Sequence, residues 1–144
     1  MDSPIRVRPA TGDDCRTIWL WRNDPLTRAM SRTPDMVPWE THQTWFSKAL
    51  ADPARTILVG EAAGEAVGMV RLDRGGETDV SIDIAPSHRG RGFGRALLEA
   101  ALKGVAERLV ADVKCENAAS RSLFERVGFV PDAPKNGLIR YRRG

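Results

Sequence analysis

"DVSIDIAPSHRGRGFGRALLEAALKG", residues 79–104, decides how the rest of the chain is read. Its first part alternates apolar and polar residues and breaks at Pro86, as a strand does. Its last part carries leucines and alanines at helical spacing. Between them, Arg89-Gly90-Arg91-Gly92-Phe93-Gly94 puts glycines where glycine weakens regular structure. A helix start offers unpaired amides and a partial positive charge, and both favour a phosphate. Glycines let the backbone close on such a ligand, and arginines add charge-assisted contacts. The turn therefore suits a pyrophosphate, although a tight strand-to-helix turn with solvated arginines has the same spacing. No Gly-Lys-Ser/Thr follows, so this is not a Walker loop. Three antiparallel-looking strands precede it, which also separates it from the usual dinucleotide fingerprint.

Working outward, residues 55–62 and 66–73 read as strands joined by a turn at Gly64, a hairpin. Residues 78–85 form the strand that leads into the glycine turn. Towards the N-terminus, residues 5–10 alternate as a short first strand, and Thr11 can cap a helix over 13–22. Residues 23–31 make a break with one short helical turn. Residues 39–52 set Trp39, Gln43 and Phe46 along one side, with His42, Trp45 and Ala49 beside them, so an amphipathic helix is expected. Towards the C-terminus, the helix after the turn is expected over 94–109, with Gly104 as a weak point. A strand at 110–116, a helix at 118–128 ending on Gly128, and strands at 129–131 and 138–143 follow. The order β-α-α-β-β-β-α-β-α-β-β is that of one α/β domain, residues 1–144, on a mixed sheet.

Composition narrows the function classes. The chain has 144 residues, 42% hydrophobic and 28% charged, which is ordinary for a globular domain. No apolar run approaches the roughly 20 residues of a membrane span. The first ten residues lack a basic region followed by an apolar one, so no secretory signal is expected and the cytoplasm is the expected location. Cys15 and Cys115 read as buried, reduced thiols, and no metal site is expected. The net charge is +3 and arginine far outnumbers lysine, which suits a polyanionic ligand because arginine's fork matches phosphate. No base-reading motif accompanies the basic residues, so nucleic acid is not an expected partner.

The glycine turn also matches the Arg/Gln-x-x-Gly-x-Gly/Ala signature of the GCN5-related N-acetyltransferase (GNAT) superfamily. Residues 117–129, "NAASRSLFERVGF", resemble that family's Asn-x-x-(Ala/Ser)-x-x-Leu-Tyr-x-x-x-Gly-Phe segment, and the element order agrees over nearly the whole chain. The resemblance implies a mostly antiparallel mixed sheet of six to seven strands flanked by about four helices. It implies acetyl-CoA as acetyl donor, with its pyrophosphate on the Arg89, Gly90, Arg91, Gly92, Phe93, Gly94 and Arg95 segment. Its pantetheine arm would lie along Ile82 and Ile84, where the fourth and fifth strands splay apart. Asn117 would contact the pantetheine or help orient the thioester, and an amine would attack directly. Where the family often has a tyrosine to protonate the leaving thiolate, this chain has Phe124, which cannot donate a proton. Water, Ser120 or Ser122 would have to serve instead.

The base must take a proton from an ammonium, and a carboxylate acting through water is a common solution. Asp83 is the first candidate, on the opposite strand parity from Val80, Ile82 and Ile84. A strand carboxylate paired to a nearby arginine is the alternative. Glu77 and Asp79 read as turn and strand-entry charges, and His42 as another possible base. For the acceptor, Trp21, Arg22, Asn23, His42 and Trp45 concentrate polar and aromatic chemistry in one short region. That region resembles acetyltransferases acting on amino-sugar nucleotides, and in part the ribosomal-protein N-terminal acetyltransferases. The tryptophans suit equally a core that docks both helices on the sheet. A small-molecule amine is the expected partner, with a peptide N-terminus or a non-catalytic acyl-CoA-binding role as alternatives. The protein is expected to be a monomer or a homodimer.

Overall fold

The computed structural model describes residues 4–144. Among them, seven strands form one sheet in the order β1-β2-β3-β4-β5-β7-β6. They are β1 (Arg6–Pro9), β2 (Arg55–Ala62), β3 (Glu65–Arg74), β4 (Thr78–Ile84), β5 (Leu109–Lys114), β6 (Val130–Pro131) and β7 (Leu138–Arg143). Five α-helices accompany them: α1 (Cys15–Arg22), α2 (Pro25–Met30), α3 (Trp39–Ala51), α4 (Phe93–Leu102) and α5 (Ala118–Arg126). Every strand pair is antiparallel except β4 with β5. This is the α/β architecture expected from the sequence.

The sheet separates two layers. Val70, Leu72 and Val80 join Leu97, Leu98, Leu102, Phe124 and Tyr141 in the core beneath α4 and α5. On the other face Met69 and Val59 pack with Ile18, Trp21, Phe46 and Ala49 beneath α1 and α3. Strand parity thus sends even residues of β3 and β4 towards α4, and the odd residues Arg71, Asp73, Asp79, Ser81 and Asp83 towards α1 and α3. Close approach of α4 depends on two paired glycines, Gly60 and Gly68. A Cβ at Gly60 would meet Leu97 at 2.6 Å, and one at Gly68 would meet the Asp83 carbonyl at 2.6 Å.

Four local expectations are revised. Thr11 caps a 3-10 turn over Gly12–Asp14 in a full capping box, and α1 starts only at Cys15. The segment 23–31 holds a real helix, α2, because Asp24 caps it and Pro25 occupies its first turn. The helix expected over 94–109 stops at Leu102, since Gly104 takes φ +79° and ends it; Leu109 belongs to β5. Cys15 and Cys115 are free thiols and are partly exposed rather than buried. No helix among the described residues is long and apolar enough to cross a membrane.

Candidate active-site cleft

The single parallel pairing creates the site. β4 and β5 are in register only at Thr78–Leu109 and Asp79–Val110, and then diverge. Their facing edges from Val80 to Ile84 and at Asp112 and Val113 line a cleft of about 1080 Å³. An open strand edge presents unpaired amides and carbonyls ready to receive an extended guest. The start of α4 and the turn before it close one end of the seam. Asn117 and α5 form one wall, and α1, α2 and the 31–37 loop form the other.

At the α4 end, Gly92 is the N-cap in the left-handed region at φ +80°, and no side chain caps the helix. No acidic residue lies in the first turn of α4. The amides of Phe93, Gly94 and Arg95 are therefore left by the helix geometry for an outside acceptor. Ala96 N–H is the first to find a helical carbonyl, that of Gly92, at 3.5 Å. Arg91 lies 5.0 Å from the buried Phe93 ring, within cation–π reach. Arg95 reaches Glu99 at 2.6 Å on the exposed face of α4. Arg89 turns elsewhere: its Nη2 donates to Asp24 Oδ2 at 2.6 Å and Thr27 Oγ1 at 2.8 Å. Burial pushes the Asp24 carboxyl up, but the bonds from Arg89 and the Thr27 amide prevail and hold it below its ordinary value.

Ile82 and Ile84 lie on β4 along the seam, and Asn117 lies opposite as the N-cap of α5, its Oδ1 accepting from Ser120 N–H at 3.2 Å. Phe124 is buried, edge-on to Phe129 at 5.0 Å and stacked on Tyr141 at 6.2 Å. Tyr141 is the chain's one tyrosine, and its buried hydroxyl donates to Glu125 at 2.7 Å. No phenol therefore faces the cleft. Ser120 and Ser122 do line it.

Asp83 faces the other end of the cleft beside Arg22, Trp45 and Arg71. It has no hydrogen-bond or ion-pair partner among the described residues. Burial raises its pKa above the ordinary carboxylate range, while the charges of Arg71, Arg22 and Arg89 pull it back. Two guanidiniums flank Trp45, Arg22 at 4.8 Å and Arg71 at 5.1 Å from the ring centroid.

The other acceptor-side residues named from sequence lie behind this wall. Trp21 is a core residue. Asn23 is bonded to both backbone groups of Val37, at 2.9 and 2.8 Å, and so fastens the 31–37 loop. His42 is fully buried, with Nδ1 on Arg22 Nη1 at 3.1 Å and Nε2 on the Cys15 carbonyl at 2.9 Å. A guanidinium only donates, so Nδ1 accepts and Nε2 carries the proton. Burial lowers the His42 pKa, which keeps this neutral tautomer. His42 therefore aims Arg22 and does not reach the cleft. Arg71 was missed in the sequence, although the parity argument applied to Asp83 also selects it on β3. The bond from Arg89 to Asp24, 65 residues away in sequence, had no local signal.

The model of the Acetyltransferase (GNAT) family matches residues 14–129. Over 91 residues the chain is 31% identical to the N-alpha-acetyltransferase RimI of Mycobacterium tuberculosis, a match covering 58% of each chain. The chain thus spans little more than half the length of that curated relative. Among solved structures, spermidine N-acetyltransferase from Vibrio cholerae, in complex with CoA and spermine, superposes with a TM-score of 0.82 at 23% identity. That superposition covers 96% of this chain and 92% of the other. The yncA protein from Salmonella typhimurium, with its cofactor acetyl-CoA, gives a TM-score of 0.78 at 24% identity over 98% and 94% of the chains.

Proposed function

The chain belongs to the Acetyltransferase (GNAT) family, and on that footing we propose that it transfers the acetyl group of acetyl-CoA to a primary amine. The observation that carries this reading is the continuity of one cleft, from the uncapped, acid-free start of α4 along the open β4 edge to Asp83. The cofactor's pyrophosphate sits on the amides of residues 90–95, where a helix start favours an anion. Its pantetheine arm follows the β4 edge past Ile82 and Ile84, with Asn117 across from it. The β4 amide near Ile84 steadies the tetrahedral oxyanion.

Asp83 takes the proton from the acceptor's ammonium, directly or through one water. The freed amine attacks the acetyl carbon; the C–N bond forms, the C–S bond breaks, the CoA thiolate leaves, and the nitrogen releases its surplus proton to water. With Phe124 in the core, water or a cleft hydroxyl such as Ser122 supplies the thiolate's proton. The acceptor is a small molecule such as an amino-sugar nucleotide, and the cytoplasm, where acetyl-CoA is made and used, is the working compartment. A peptide α-amine is the second reading, favoured by the 31% identical relative, which is named as an N-alpha-acetyltransferase.

Acetyl-CoA should raise the melting temperature, and Arg91→Glu, which places a carboxylate at the cradle, should remove most of that rise. No rise at saturating acetyl-CoA contradicts the reading. A thiol-release screen over amino-sugar nucleotides, polyamines and short peptides then separates the acceptor classes.

A further inference from the structure

Arg22 is the cation at the acceptor end that no carboxylate contacts. Its neighbours are the His42 ring nitrogen at 3.1 Å and the Trp45 face at 4.8 Å, and no ion-pair partner lies among the described residues. Burial and the nearby Arg71 charge both work against its ionised form, with Asp83 offsetting them in part. A half-buried guanidinium in that position is under-satisfied, since buried charge is costly unless it is paired.

Arg71 completes the corner. It stands opposite Ser81 in the β3–β4 register, one step diagonally from Asp83, which stands opposite Met69. Its Nε is held by Asp73 at 2.8 Å, and its guanidinium lies 5.1 Å from the same Trp45 ring. Farther along the cleft Asp73 also meets Arg55 at 3.5 Å and Asp112 meets Arg140 at 2.8 Å, while Asp79 has no ion-pair partner among the described residues. Arg22 is also fixed in direction, because the Cys15 carbonyl sets the His42 tautomer whose Nδ1 receives it. Fixing a binding group beforehand lowers the entropy lost when a guest arrives.

Two guanidiniums beside one aromatic face repel a polycation and match a forked oxyanion. We propose that Arg22 and Arg71 hold a carboxylate or phosphate carried by the acceptor itself, with Trp45 as the platform and Asp83 receiving the acceptor's ammonium. This rests on the acetyl-transfer reading of the cleft, and it makes the acceptor an amine that also bears an anion. Simple polyamines are excluded as good substrates.

The test uses matched pairs with acetyl-CoA: UDP-glucosamine against glucosamine, glycine against glycinamide, and spermidine alone. At least one anion-bearing amine should exceed its partner in kcat/KM by about tenfold to a hundredfold. Arg22→Gln should collapse that ratio towards unity by raising the KM of the anionic acceptor. The first pair reports a phosphate and the second a carboxylate. Spermidine turning over as well as the anion-bearing amines, or the anion-free member of both pairs turning over as well as its charged partner, overturns the proposal, as does Arg22→Gln slowing both members equally. Should no amine react, acetyl transfer fails, and a separate arm still decides the anion corner. There, with CoA saturating so that the α4 cradle is filled, inorganic pyrophosphate or succinate raises the melting temperature further, and that further rise is lost in Arg22→Gln. No rise, or one kept in Arg22→Gln, overturns it. Arg71→Gln repeats both arms if Arg22→Gln does not fold.

Discussion

Arg89 Nη2 donates to Asp24 Oδ2 at 2.6 Å, and this contact joins the turn before α4 to the N-cap of α2. Thr27 Oγ1 takes a second bond from the same nitrogen at 2.8 Å. The far end of α2 is held as well, by Lys114 Nζ on the Ala29 carbonyl at 3.0 Å. The helix therefore bridges the cleft from the cofactor cradle to β5, and its residues Leu26, Thr27 and Met30 line the acceptor wall. An arginine of the proposed cofactor turn thereby fixes the α2 wall of the cleft.

The first prediction follows from that bridge. Asp24→Asn and Arg89→Met should each raise the acceptor KM several-fold, with a smaller effect on acetyl-CoA binding. Combined, they should cost no more than the worse single change, with a coupling energy of about 0.5–3 kcal/mol in the double-mutant cycle. Strict additivity would show that the two residues act independently.

Asp83 gives a pH prediction. As the proposed base it would work ionised, and burial raises its pKa, so kcat/KM should rise with pH along a limb above the ordinary carboxylate range. Asp83→Asn should remove the limb and lower kcat by about 10²–10⁴-fold. The sign for stability is opposite. A carboxyl whose folded pKa lies above its unfolded one destabilises the fold as pH rises through that window. Asp83→Asn should therefore melt higher than wild type at neutral pH, and the advantage should vanish in acid, below the ordinary carboxylate range. An Asn variant that is less stable at neutral pH would contradict this.

Asp14 behaves in the reverse sense. Arg8 grips it through two bonds of 2.8 Å, and Thr11 N–H adds a third at 2.8 Å. The Arg8 bond holds the carboxyl below its ordinary value despite burial. Its stabilisation is present above the unfolded pKa and is lost as pH falls through the folded one. Asp14→Asn should cost about 1–2 kcal/mol at neutral pH, discounted for the partly exposed Arg8, and nothing in strong acid. Thermal melts at the two pH values check it.

Tyr141 supplies a control on the proton donor. Its hydroxyl is in the core on Glu125, and burial raises its pKa. Tyr141→Phe should lower stability by about 1–2 kcal/mol through the lost buried bond, and leave kcat unchanged. A large fall in kcat without unfolding would make Tyr141 the missing acid.

Much of this was legible from local pattern. The alternation of β4, the break at Pro86 and the glycine turn located the start of α4, because each depends on residues adjacent in sequence. Strand parity placed Asp83 on the cleft face for the same reason. The tryptophans were ambiguous because helical spacing gives a face but not its partner: Trp21 went to the core and Trp45 to the cleft. His42 and Asn23 look like ligand contacts in sequence, yet they hold Arg22 and Val37, contacts fixed only when α1, α3 and the loop between them close up. The end of α4 was misread because Gly104 was weighed as a helix interior residue, when its positive φ makes it the stop.

The most direct test of acetyl transfer measures free CoA and acetylated amine together, with acetyl-CoA and the amine panel supplied to wild-type protein and to Asp83→Asn. The account predicts saturable, one-to-one appearance of both products with wild type and their near loss in the variant. Thermal protection by acetyl-CoA without thiol release from any primary amine would contradict it and leave a non-catalytic acyl-CoA-binding domain.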